Sequence, residues 1–121
     1  MGMILKELGR VAYVTADGVA TAQTLVTNAT SFDTVVSHIV LHNTHTSAIV
    51  VTLCKVPNSG SSVGTGDIND EYWQQSIAAS DTRTVDIPMY LTGINDTIQI
   101  YAATASKVNA YAFGFTMADQ T

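Results

Sequence analysis

The 121 residues carry 46% apolar and only 12% charged side chains, with a formal net charge of −5; a chain of this size forms one domain and buries enough surface to fold without metal or disulfides. The five bases, Lys6, Arg10, Lys55, Arg83 and Lys107, are scattered, which leaves no track for phosphates and argues against a nucleic-acid partner. Cys54 stands alone, so no internal disulfide exists, and no apolar run approaches the roughly 18 residues that argue for a membrane span.

Eight short runs of Val, Ile, Thr and aromatics, cut apart by Gly, Asn and Asp, predict strands. Residues 10–15 and 19–26 read as the first two, joined through Ala16-Asp17-Gly18 as a hairpin, because Asp and Gly both tolerate positive φ. Residues 33–42 and 46–56 read as the third and fourth, separated by the polar turn His42-Asn43-Thr44-His45. Within the fourth, Cys54 is expected as a small buried hydrophobe and not a reactive thiol. The Gly- and Ser-rich stretch 57–67 reads as a long loop within the domain. Residues 71–79 form the fifth strand, with a short helix over 70–79 as the alternative. Residues 82–87 form the sixth, where Pro88 ends the strand or marks an edge. Residues 97–103 give the cleanest alternation, with Ile98, Ile100 and Ala102 inside and Thr97, Gln99 and Tyr101 wet. Residues 108–117 close the chain. Turns every 8–12 residues or so mark a sandwich or barrel.

The start, Met1-Gly2-Met3-Ile4-Leu5-Lys6-Glu7, lacks the charged-then-apolar order of a signal peptide, and Lys6 stands where a myristoylation motif wants Ser or Thr. Synthesis in a cytoplasm is expected. Residues 1–9 read as an N-terminal arm and 10–121 as the β-sandwich domain, with Ile4 and Leu5 as apolar groups able to reach a neighbour.

Two strands are apolar on both faces. In the third, Val35, Ile39 and Leu41 are expected on one side and Val36, His38, Val40 and His42 on the other. In the last, Asn109, Tyr111, Phe113, Phe115 and Met117 make a bulky face, and Val108, Ala110, Ala112, Gly114 and Thr116 a small one. A solvent-facing sheet carries polar groups outside. Either loops of the same chain cover these outer faces, or another subunit does; monomers seldom leave large apolar patches bare. The second reading makes Val36, His38, Val40, His42, Tyr111 and Phe113 interface residues.

Chemistry is harder to find. His38 and His42 share a strand face about 13 Å apart, too far to hold one metal ion directly; His45 lies across the turn. Asp67, Asn69 and Glu71 offer oxygens, but the glycine and distal glutamate of a calcium loop are missing. Gly64-Thr65-Gly66 precedes no helix and no Lys-Ser/Thr, so it is not a phosphate cradle. No Gly-x-Ser-x-Gly elbow accompanies the many hydroxyls. Tyr72, Trp73 and Tyr90 are candidates for a sugar platform. Asn28-Ala29-Thr30 and Asn95-Asp96-Thr97 match the glycosylation sequon, a frequent match in a Thr-rich chain. No catalytic residue, metal site or cofactor is assigned, and the chain reads as a non-enzyme.

The order Val40-Leu41-His42-Asn43-Thr44-His45-Thr46, Val50-Val51-Thr52-Leu53, Val56-Pro57-Asn58-Ser59-Gly60, then Ile77-Ala78-Ala79-Ser80-Asp81-Thr82, Asn95-Asp96-Thr97-Ile98-Gln99 and Ala105-Ser106-Lys107-Val108-Asn109 resembles small β-sandwich proteins encoded among the virion genes of tailed bacteriophages. The similarity covers residues 33–115. It implies a single antiparallel β-sandwich, jelly-roll-like, of about eight strands. It also implies a capsid decoration (cement) protein, a homotrimer that bridges capsomers by binding the major capsid protein on the virion surface. A tail, baseplate or fibre subunit and a carbohydrate-binding attachment module are the alternatives. No catalytic residue carries over from that family.

Overall fold

The computed structural model describes residues 6–14, 18–60 and 62–118. Among the described residues nine strands run in chain order: β1 (Lys6–Val11), β2 (Gln23–Thr27), β3 (Phe32–Asn43), β4 (Ile49–Val56), β5 (Glu71–Ile77), β6 (Thr82–Val85), β7 (Met89–Leu91), β8 (Thr97–Ala102) and β9 (Val108–Ala118). They form two antiparallel sheets, β1-β9-β3-β6 with β7 also on β3, and β2-β8-β4-β5. β6 and β7 dock on the same side of β3, against Ile39–His42 and Thr34–Val36 respectively. They act as one edge strand interrupted at Asp86-Ile87-Pro88, where proline removes a ladder donor.

Counted that way, the pairing is nested. The first strand pairs with the last, the second with the next to last, and so inward to β4 with β5. This is the jelly-roll arrangement of two four-stranded sheets, as the sequence pattern implies. The alternative helix over 70–79 is absent: only the 3-10 turn Ile68–Asp70 precedes β5. The proposed Asp-Gly hairpin also fails in its pairing. β1 joins β9 and β2 joins β8, so the two strands enter different sheets, and part of the expected second strand is a 3-10 turn at Val19–Thr21. The boundary drawn between residues 9 and 10 falls inside β1; Lys6 to Gly9 belong to the sheet, and residues 1–5 lie outside the described residues.

The core lies between the sheets. Ile39, Leu41, Val51, Leu53, Ile98 and Ile100 are essentially inaccessible, each contributing about 1.5–3 kcal/mol by leaving water. Ala110 and Ala112 on β9 stand opposite Leu41 and Ile39 on β3. Small residues beside large ones let the layers close without voids.

One strand slips in phase. β1 and β3 flank β9, and both bulge beside Phe113, β1 at Leu8 between the partners of Phe113 and Ala112, and β3 at Ser37 between those of Gly114 and Phe113. A Cβ on Gly114 would run into the carbonyl oxygen of Val35 and crowd Leu8. The bulge inserts one residue and reverses which side of β3 each later residue faces.

Candidate assembly surface

The outer face of the first sheet grows from β9. Its alternation is unbroken, so Ala110 and Ala112 point into the core while Tyr111, Phe113 and Phe115 remain half-buried on the outside. On β3 the register sets His42, Val40, His38 and Val35 against Asn109, Tyr111, Phe113 and Phe115. β7 adds Tyr90 beside Val35, β6 adds Thr84 beside Val40, and β1 adds Arg10 beside Tyr111.

Specific contacts hold this layer. The His38 ring stacks on Phe113 with centroids 5.1 Å apart and 21° between planes. The Arg10 guanidinium sits 5.1 Å from the Tyr111 ring centroid, a cation–π geometry. Its Nε donates to Glu7 Oε1 at 3.0 Å, so the cation is half neutralised. His42 Nδ1 and Thr82 Oγ1 share a hydrogen bond at 2.8 Å. Cross-strand pairs of these kinds stabilise a sheet by about 0.2–1 kcal/mol each. Even so, Tyr90 stays 59% exposed, beside the half-buried Tyr111, Phe113 and Phe115. β3 and β9 run twelve and eleven residues and are flanked by the shorter β1 and β6–β7 lanes, so the face presents on the order of 600 Å². A specific protein interface needs about 800 Å² from each partner.

The structure therefore brings together His38, Val40, His42, Tyr111 and Phe113. It removes Val36 from the set. Val36 is fully buried in the core, because the Ser37 bulge turns it to the same side as Ile39 and Leu41 and leaves Val35 on the outside. Ile4 and Leu5 lie outside the described residues. Arg10 belongs to this face although the sequence pattern did not single it out, and Val35, expected beside Ile39 and Leu41, lies on this outer face instead, 9% exposed. Their placement depends on pairing with β9, which no local spacing reveals.

The other candidates disperse. His45 sits in the β3–β4 turn, its backbone N–H donating to Asn43 Oδ1 at 2.8 Å. Among the described residues no three His, Cys, Asp or Glu side chains stand close enough to share a metal ion. The acidic segment is occupied locally: Asp67 Oδ1 accepts from Asn69 N at 3.0 Å, Asp70 Oδ2 accepts from Asp67 N at 2.9 Å, and Glu71 Oε2 accepts from Tyr101 Oη at 2.7 Å. Asn28 of the first sequon is wholly buried, donating to Phe32 O and Gly93 O. Tyr72 and Trp73 pack against the core on β5, while Tyr90 lies on β7 of the other sheet, so the three do not make one platform. An open hollow of about 190 Å³ between β1 and β2, lined by Thr27, Thr34, Thr116 and Leu8 among others, gathers hydroxyls but no histidine.

Cys54 is fully buried. Burial, and after it the Glu71 and Asp70 carboxylates, push its thiol pKa up to about 12. The folded chain thus presents an inert thiol, as a strand cysteine should. Burial likewise raises the Tyr72 phenol, with Cys54 adding to the effect.

No family model matches the chain, and no curated protein matches it. Among solved structures it is similar to a chain described as "Bacillus endospore appendages form a novel family of disulfide-linked pili", at 14% identity and a TM-score of 0.47, over 97% of this chain and 88% of that one. Likeness at that level concerns the chain path alone.

Proposed function

We propose that this chain is a structural subunit that works by assembly, and within that class a bacteriophage capsid decoration protein, a homotrimer that sits on the virion and bridges capsomers of the major capsid protein. The observation that carries the assembly reading is the aromatic outer face of the first sheet, left open around Tyr90 by the chain's own loops, while a loop covers the β8 side of the second sheet's outer face. The head location rests on the resemblance in the strand and turn order over residues 33–115. The added buried area would hold neighbouring capsomers together against internal pressure. A tail or fibre subunit uses the same surface, and localisation separates the two.

Light scattering at micromolar concentration is expected to give the trimer mass, and immunogold labelling or cryo-microscopy of intact particles to place the chain on the head. Val40→Asp is expected to abolish the trimer while the circular dichroism spectrum stays that of the folded chain. A monomeric wild type, or an unchanged oligomer in Val40→Asp, would remove the assembly reading.

A further inference from the structure

We propose that residues 3–5 of the chain's own N-terminal segment dock beside β9 as a continuation of β1, with Ile4 filling the hollow between β1 and β2 and Leu5 joining the aromatic face. The contact is made within one chain and does not depend on self-association. Among the described residues, β1 stops at Lys6, opposite Gly114. β9 runs on past that point through Phe115, Thr116 and Met117, paired with β3 on its other side. Antiparallel pairing fixes the register of anything that extends β1 along them. One step back from the Lys6–Gly114 pair sets Leu5 opposite Phe115, then Ile4 opposite Thr116 and Met3 opposite Met117.

The surroundings of that lane suit these side chains. β9 alternates without a break, so Phe115 and Met117 lie toward the outer face and Thr116 toward the inner one, and residues opposite them share those sides. The inner side is where the core stops short. Ala110, Ala112 and Gly114 are buried, but Thr116, next on the same side, is exposed. Beside it opens the hollow of about 190 Å³, with Leu8, the buried Val26 and Thr34, and Lys6 also in its lining. Thr34 Oγ1 already donates to Asn28 Oδ1 at 2.6 Å, so its proton makes no demand on an occupant. A cavity of roughly 150 Å³ takes up benzene, so a branched aliphatic side chain such as Ile4 fits here. On the outer side, Leu5 and Met3 extend the apolar row of Phe115 and the 36% exposed Met117. Lys6 already stands at the mouth of the lane. The chain's own segment therefore enters without the loss of translational freedom that the segment of a second molecule would suffer.

Thiol labelling of the full chain tests this. The background is Tyr90→Asp, which sets a charge on the open face at a 59% exposed position and keeps chains apart, and the fully buried Cys54 is the unreactive reference. Met3→Cys, Ile4→Cys and Leu5→Cys are introduced one at a time. The cysteine at position 4 is expected to react at least about tenfold more slowly than those at 3 and 5, because it reacts only through local opening. That rate is expected not to change with protein concentration. Without any cysteine added, Ile4→Asp is expected to lower the thermal midpoint by about 5 °C and Leu5→Asp to leave it within about 1 °C. Equal rates at 4 and 5 would mean that the segment lies free. Protection of 5 in place of 4 would put it one residue out of register, and protection that grows with concentration would put it on a second copy. Each of these three results overturns the proposal.

Discussion

The two outer faces of this sandwich are covered by different means. On the second sheet, Thr52, Cys54, Val56, Thr97 and Gln99 point away from the core and are buried all the same. The Gly-rich segment after β4 folds back over them: Gly64 O accepts from Gln99 Nε2 at 3.1 Å, and Gly64 and Gly66 lie against Val56, where a side chain on Gly64 would strike the Pro57 carbonyl. On the first sheet the outward groups are larger and more apolar, yet Tyr90 and its aromatic neighbours remain accessible. The 57–70 loop covers the β8 side of the face made of hydroxyls and a thiol, while Val50, Gln74 and Ser76 at its β5 side stay exposed. The aromatic face is the one left for something else to cover, and that contrast, more than the presence of either face, supports a subunit that assembles.

A charge placed on each face gives the largest separation. Val56→Asp sets an unpaired carboxylate under the loop, in a site 1% exposed; the expected cost is about 4 kcal/mol, enough to leave little folded chain. Val40→Asp, on the open face, is expected to cost under about 1 kcal/mol in the monomer. Urea titrations of the two variants check the difference. Equal losses would mean that the faces are not distinct in burial.

Alkaline titration probes the closed face with a smaller effect. Burial pushes the Cys54 pKa up to about 12 in the folded chain, against an ordinary value of 9.0 for the thiol. The folded state therefore holds its proton over a window where the unfolded state has released one. Stability is unaffected by this group below about pH 9 and falls as pH rises from there toward 12, by at most about 1.4 kcal/mol per pH unit. Cys54→Ala is expected to show a shallower decline over that window, measured as unfolding free energy at pH 9, 10 and 11. Tyr72 and Tyr101, also raised, keep a residual slope in the variant.

Much of this architecture is legible in residue order, and the failures share a cause. The unbroken alternation of β9 reveals both its faces, since a period of two needs no partner to be read. β3 is likewise apolar on both faces but misleads at Val36, because the slip at Ser37 answers a steric demand centred on Gly114, in a strand far along the chain. The wet face expected for β8 is closed at Thr97 and Gln99 by a loop whose composition signals only irregularity. Val11 and Gln23 are close in sequence, yet their strands belong to different sheets because β9 and β8 pair with them first in space. Strand periodicity is local and survives; what covers a strand, and which strand lies beside it, is set by distant residues.

The weakest effect lies at the margin of the open face and bears on whether that face is dry in the assembly. Arg10 over Tyr111 is an exposed pair, with the guanidinium side chain 59% accessible. A double-mutant cycle of Arg10→Ala and Tyr111→Leu in a Tyr90→Asp background, which blocks the open face, is expected to give a coupling of about 0.5 kcal/mol, the level of a solvated cation–π contact. Glu7 contributes little to it, since an exposed ion pair is worth about as little. Cation–π attraction rises toward about 2 kcal/mol when water is excluded. The same cycle read on oligomer dissociation in the unblocked chain is therefore expected to exceed the monomer value. Equal couplings in the two backgrounds would place Arg10 at a wet rim and move the centre of the contact toward Phe113 and His38.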